Sequence, residues 1–156
     1  MASLGIVESL FIEPAVDEHV EMYLKAIWLI QEAGEEPARI STVSKLLHVS
    51  APSVVQMLRK LQELGHVKYL RRQGAEMTVK GREVGRRMVR NVRLFEVLMT
   101  DKLRIAVDPK VACGVEHHLT EEFSEALCSL LGHPPRCPHG KPIPEGRCCK
   151  KRGTTA

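Results

Sequence analysis

Apolar residues near the start of the chain recur at intervals of three and four: Val20, Tyr23, Leu24, Ile27 and Ile30 follow Asp17 in one register. That spacing puts a single apolar stripe on a helix, and Gly34 supplies its stop. A shorter helix is predicted over 41–47, with Ile40, Val43, Leu46 and Leu47 apolar, and His48 and Val49 turn the chain. Ser50 then offers an N-cap oxygen. Pro52, whose missing N–H costs nothing in a first turn, opens a third helix that buries Val54, Leu58 and Leu61 and ends at Gly65. Over 66–79 the period falls to two, with Val67 and Tyr69, then Met77 and Val79, alternating around Gln73-Gly74. This is the pattern of a hairpin. Two short helices joined by a tight turn, between a longer helix and a hairpin, predict a winged helix-turn-helix.

Thr78 is placed to cap a long helix, KGREVGRRMVRNVRLFEVLMTDKL, with arginines along one side. Gly81 and Gly85 within it cost roughly 1 kcal/mol each relative to Ala, so close packing must compensate. Asp108-Pro109 forms another N-cap and first-turn pair ahead of VACGVEHHL. Thr120 opens a last helix, EEFSEALCSLL, closed by Gly132. Apolar stripes at Leu94, Val97 and Leu98 and at Leu119, Phe123, Leu127 and Leu130 predict a dimer core. The remainder carries five of the nine prolines and is expected to be irregular. The expected organisation is an N-terminal extension (1–16), a winged helix-turn-helix (17–79), a helical metal-binding and dimerisation domain (80–132) and a Pro/Cys-rich tail (133–156). Overall the chain reads as mainly α with a small β wing and no SH3-like third domain.

Composition adds compartment and partner. Only six residues are aromatic, which suits helices packed by Leu, Val, Ile and Met. Five cysteines leave an odd thiol, and no Lys or Arg precedes residue 17 to start a secretory signal. Reduced thiols, a cytoplasmic location and no membrane association are therefore expected. Residues 1–36 hold eight acids and one base, Lys25, whereas residues 53–93 hold eleven Lys/Arg and three acids. Such an asymmetry suits a middle that faces phosphate while its flanks avoid it. Ser50, Pro52, Ser53 and Gln56 are placed for base edges, and Arg59, Lys60, Lys68, Arg71 and Arg72 for phosphates. No HExxH, no nucleophile beside a base and no phosphate loop occurs, so an enzyme is not expected.

Cys113, Glu116 and His117 stand at i, i+3 and i+4, so one helix face presents a thiolate, a carboxylate and an imidazole. This donor set suits Fe(II), Co(II), Ni(II) or Zn(II) better than Mg(II) or Ca(II). In the tail, Cys137, His139, Cys148 and Cys149 lie within thirteen residues, but adjacent cysteines match zinc spacing poorly. They leave a second metal, a redox or iron–sulfur sensor, or incidental thiols all open.

The segments EMYLKAIWLI, SAPSVVQMLRKLQELGHV, MTVKGR, CGVEHHLTEEF and GHPPRCPHGKPIP, in this order, make the chain resemble the diphtheria-toxin-repressor and manganese-transport-regulator family from about residue 18 to 144. The resemblance implies a homodimeric repressor that binds a palindromic operator and regulates metal-ion homeostasis. It also implies a divalent ion tying the first helix to the dimerisation domain. By position it implies Met22, Cys113, Glu116 and His117 as ligands, Glu96 as a ligand of an ancillary site, and Ser50, Pro52 and Gln56 at base-contacting positions. Three departures stand out: Val92 replaces a His the family places four residues before Glu96, Lys25 occupies a position that is acidic in manganese-type members, and the loop before Cys113 is shorter and holds no His. Glu96 is therefore expected to have few partners, and each subunit one main metal site. Sulfur at Met22 and Cys113 favours Fe(II) over Mn(II), with a manganese-responsive regulator as the alternative.

Overall fold

A computed structural model describes residues 17–150. The expected extension, 1–16, and the end of the expected tail, 151–156, lie outside the described residues. The Asp17 side chain accepts from the Val20 N–H and opens α1 (Glu18–Glu32), whose stripe Val20, Tyr23, Leu24, Ile27 and Ile30 is buried. Helix α2 (Ile40–Leu47) ends at His48, which turns the chain in the left-handed region at φ +54°. Ser50 caps α3 (Ala51–Glu63) through the Ser53 N–H at 3.2 Å, with Pro52 in the first turn. The wing is an antiparallel pair, β1 (Val67–Leu70) and β2 (Gly74–Met77), in the register Val67↔Met77 to Leu70↔Gly74.

Ala38, in the connection from α1 to α2, exchanges both backbone hydrogen bonds with Ala75 at 3.0 Å. It makes the wing a three-membered ribbon rooted beside α1. Gly74 (φ +141°) permits this approach, since a Cβ there would lie 2.0 Å from the Ala38 carbonyl oxygen. The first core gathers Leu24, Ile27, Val43, Val54, Leu58, Leu61, Val67 and Ala75 beneath these elements.

Helix α4 (Val79–Val97), capped by Thr78, runs on through a π-helical turn, Leu98–Lys102. Its glycines have the packing role expected of them. A Cβ at Gly81 would strike the His66 carbonyl oxygen at 2.0 Å, and one at Gly85 would crowd Leu24 and Trp28 of α1. Helices α5 (Pro109–Glu116) and α6 (Glu121–Leu130) follow, capped by Asp108 and Thr120. Leu94, Val97, Leu127, Cys128, Cys137 and Ile143 form a second core. The stripes expected to make a dimer core therefore divide: Leu94, Val97 and Leu127 are buried within the chain itself, while Phe123 and Leu130 stay exposed. No helix among the described residues is long and apolar enough to cross a membrane.

The tail is irregular over 133–146, as expected, but it is anchored to α4. Three arginines on one side of α4 donate to its carbonyls: Arg86 to Glu145 at 2.8 Å, Arg90 to Pro144 at 2.8 Å and Arg93 to Pro142 at 2.6 Å. The segment packs along α4 and ends in a short helix, α7 (Arg147–Lys150). Proline-rich chain without periodicity is thus ordered by side-chain donors.

Arg93 also makes a two-pronged bond to Glu32, at 2.9 and 2.6 Å, joining α1 to α4. That guanidinium holds the Glu32 carboxyl below its ordinary value of 4.5 despite partial burial. Glu32→Gln is expected to cost about 1–2 kcal/mol at pH 7. The folded value lies below the unfolded one, so the contribution is complete above the ordinary glutamate range and disappears as pH falls through the folded value. Urea midpoints of the two proteins should converge on acidification. A gap of constant size would refute the ion pair as its source.

Candidate functional site

Helix α5 ends against α1, and the two present a buried polar cluster. The metal-binding atoms of Cys113, Glu116 and His117 all lie within 4.8 Å of one another. Glu116 is completely buried and His117 nearly so. The carboxylate of Glu21 accepts from His117 Nδ1 at 2.8 Å. A carboxylate only accepts, so Nδ1 is the donor to Glu21, and Nε2 is left facing Glu116 Oε1, 3.5 Å away. Arg87 of α4 donates to the other Glu21 oxygen at 2.5 Å.

Lys25, one turn beyond Glu21, donates to Glu116 Oε1 and to Cys113 Sγ, the latter at 3.3 Å. Burial works to lower the Lys25 ammonium, but the Glu116 carboxylate and then Cys113 outweigh it and hold Lys25 above its ordinary value. Burial raises the Glu116 carboxyl, with Lys25, His117 and Cys113 pulling against the rise. Glu116 Oε2 is buried with no hydrogen-bond partner among the described residues. A thiol, an imidazole nitrogen and a carboxylate with one orphaned oxygen, this close together, fit a divalent transition ion, whose ligand bonds run roughly 2.0–2.3 Å.

The expected triad is thus brought together, and α1 meets it through Glu21 and Lys25. Met22, the expected α1 ligand, lies between those two in sequence and is half-buried. His19, one turn before Met22, is exposed. Sequence reasoning missed Glu21, Arg87 and Asn91. Buried Asn91 donates to the carbonyls of Glu116 and Leu119 at 3.0 and 3.1 Å and accepts from Ser124, fixing the end of α5. Asn91 is a lone amide three residues from both Met88 and Leu94, two buried apolar positions of α4.

Glu96, expected to have few partners because Val92 replaces a His, instead meets the tail. His139 Nδ1 lies 3.3 Å from its carboxylate, and Glu96, Cys137 and His139 form a second close group. A cleft of about 320 Å³ is lined by both Glu96 and Cys113, with Lys25 and Val92 on its wall. Cys148 and Cys149, grouped in sequence with Cys137 and His139, pack elsewhere, against Cys128 and His133.

On α3 and the wing, Ser50, Pro52, Ser53, Gln56, Arg59, Lys60, Lys68, Arg71 and Arg72 are all exposed. Arg72 turns the wing tip at φ +66°. Lys60 pairs with Asp17 at 2.5 Å, so its charge is shared. The charge asymmetry also has a partly internal meaning. Arg82, Arg87 and Arg93 pair with Glu36, Glu21 and Glu32 of the acidic N-terminal stretch. The basic surface left for phosphate is therefore α3 and the wing, and the arginine side of α4 is spent within the fold.

Two family models match the chain: "Iron dependent repressor, N-terminal DNA binding domain" over residues 16–75, and "Iron dependent repressor, metal binding and dimerisation domain" over 78–145. The diphtheria toxin repressor of Corynebacterium diphtheriae is 33% identical over 127 residues, 80% of this chain and 55% of that one. The HTH-type transcriptional regulator MntR of Lysinibacillus sphaericus is 30% identical over 122 residues, 76% of this chain and 82% of that one. A solved manganese-dependent transcriptional repressor in complex with manganese superposes with a TM-score of 0.73 at 31% identity, over 81% of this chain and 59% of that chain. These features define a class in which a winged-helix DNA-binding unit is joined to a metal-binding and dimerisation unit. The chain belongs to the iron-dependent repressor family of metal-dependent transcriptional repressors. It spans about half the length of several of the repressors it matches, 55% in the case of the C. diphtheriae protein.

Proposed function

We propose that this chain is a cytoplasmic, homodimeric repressor whose hold on a palindromic operator is switched by Fe(II). The observation that carries this reading is the buried Cys113–Glu116–His117 cluster, directed at α1 and containing an orphaned carboxylate oxygen. In it, residues 17–79 bind DNA, residues 80–132 bind metal and dimerise, and 133–150 brace the second unit. Cys113 Sγ, a Glu116 oxygen and His117 Nε2 are the ligands, with Met22 completing the set from α1. Glu96, Cys137 and His139 form an ancillary site. A bound divalent ion supplies the positive charge that holds donors from α1 and α5 together. Glu21 keeps the His117 ring oriented, and the Arg87 guanidinium holds the Glu21 carboxylate in place. Lys25 must withdraw from Glu116 when the carboxylate turns to a metal.

Ser50, Pro52, Ser53 and Gln56 read base edges in the major groove, while Arg59, Lys60, Arg71 and Arg72 contact phosphate. The exposed Phe123 and Leu130 belong to the dimer face. Sulfur donors favour Fe(II) over Mn(II), with Co(II), Ni(II) and Zn(II) also able to bind. The test is an anaerobic binding titration on the chain's own promoter region with chelator, Fe(II), Mn(II) and Zn(II) in turn. Fe(II) is expected to tighten binding at the lowest concentration. Equal affinity under every condition would overturn the switch, and a lower threshold for Mn(II) would overturn the choice of metal.

A further inference from the structure

Away from the α1–α5 cluster, four soft donors converge at the far end of the molecule. Cys128 lies in the last turns of α6, His133 follows the helix end, and Cys148 and Cys149 come from α7. We infer that Cys128, His133, Cys148 and Cys149 form a closed, tetrahedral Cys₃His site for one zinc ion, which fastens the C-terminal segment to the dimerisation unit.

Geometry is the first support. Zinc–sulfur bonds of about 2.3 Å and zinc–nitrogen bonds of about 2.0–2.1 Å define a tetrahedron with S···S edges of about 3.8 Å and S···N edges of about 3.6 Å. The observed edges are 3.7 Å for Cys128–Cys149, 3.9 Å for Cys148–Cys149, 3.6 Å for Cys128–His133 and 3.7 Å for Cys149–His133. All four donor atoms lie within 4.8 Å of one another. The space suits one ion, and sulfurs so close together leave no room for the bridged irons of a cluster. None of the sulfurs is within disulfide bonding distance, and all five cysteines are free.

The second support is how the backbone delivers these donors. Gly132 at φ +76° and His133 at φ +55° take consecutive left-handed conformations. The His133 N–H returns to the Cys128 carbonyl at 2.8 Å. A non-glycine residue held in that region carries its imidazole back over the helix end to Cys128. Gly146 lets α7 approach α4, since a Cβ there would sit 2.5 Å from Arg90 Nη2.

Charge is the third support. Three thiolates and a neutral imidazole around a divalent ion leave one net negative charge. Arg90, only 4% exposed, donates to Cys148 Sγ at 3.3 Å and supplies the matching positive charge.

Cys148 and Cys149 fall beyond the residues matched to the metal-binding domain of the family, 78–145, so this site is additional to the ones that domain carries. With no water or carboxylate among its donors it is built to hold an ion rather than exchange one. The segment it would clamp carries Cys137 and His139 to Glu96 and gives the Pro142 carbonyl to Arg93.

The experiment uses the full chain with Cys113→Ser, His117→Ala and His139→Ala, so that neither the α1–α5 cluster nor the Glu96–Cys137–His139 group contributes. Zinc content is measured after dialysis against a mild chelator. Co(II) is then loaded in place of zinc and read by its thiolate charge-transfer and tetrahedral visible bands. One ion per subunit and a tetrahedral thiolate spectrum are expected. Both should vanish in the additional variants His133→Ala and Cys148→Ser/Cys149→Ser, with helical circular dichroism retained. Arg90→Gln is expected to keep the spectrum while weakening Co(II) binding by about 10–100-fold. Retention of full zinc and an unaltered Co(II) spectrum in the tail variants would overturn the site, as would the absence of the spectrum in the parent. Titration of only three reactive thiols, rather than five, in non-reduced, denatured wild-type chain would replace it with a disulfide.

Discussion

Metal-stimulated operator binding is expected to disappear in His117→Ala. Operator affinity at saturating Fe(II) should fall by about 5- to 150-fold, the span of a coupling worth 1–3 kcal/mol, and binding in chelator should stay at the wild-type value. The size follows from what His117 does. Its Nδ1 is held by Glu21 of α1, and its other nitrogen faces Glu116 at the end of α5. Removing the ring deletes one ligand and the only link in this cluster that passes directly from an α1 carboxylate to an α5 donor. Fluorescence anisotropy on a labelled operator, with Fe(II) titrated anaerobically, measures both limits. A variant that still responded to Fe(II) with wild-type amplitude would sink the assignment. One that lost binding equally in chelator would mark His117 as structural.

Lys25→Met is expected to move metal affinity the other way. The Lys25 ammonium holds Cys113 Sγ, an atom a metal would need, and neutralises the Glu116 carboxylate that would supply another ligand. Without a competing ammonium, metal affinity should rise by about tenfold for each 1.4 kcal/mol the ion pair had contributed. The metal-free protein should suffer, because Glu116 is wholly buried and would lose its cation. Removing one partner of a buried pair costs about 3–5 kcal/mol, moderated as the carboxyl takes up a proton. Urea unfolding with chelator and with metal should therefore show a large loss in the first condition that saturating metal recovers. An equal loss in both would mean that Lys25 only packs, and unchanged metal affinity would refute the competition.

Much of this architecture is legible in sequence because its signals are local. Asp17, Ser50, Thr78, Asp108 and Thr120 each cap the helix that their position announces. The wing follows from a change of period around Gln73-Gly74. The Cys113–Glu116–His117 face follows from helical geometry alone. Glu21 was not legible as a site residue, and Lys25 stood out only through the resemblance, since an acid and a base four apart on a helix also describe a solvated surface pair. Only the docking of α5 buries them. What anchors the irregular tail was not legible for a related reason: it is held by Arg86, Arg90 and Arg93, more than forty residues upstream, and no window along the chain contains both partners. Summed charge misled similarly, because arginines counted toward a DNA-facing surface are neutralised by acids of α1 and its following loop.

The paired hydrogen bonds between Ala38 and Ala75 constrain how any switch must work. They weld the wing to the connection between α1 and α2, so wing, recognition helix and α1 share one frame. A signal arriving at α1 would turn that frame as a unit and leave the reading surface undeformed. In a dimer the regulated quantity is then a span, the distance between two rigid jaws set against half-sites about 34–36 Å apart. Operators differing only in the number of central base pairs should be discriminated more sharply than operators differing in flanking composition.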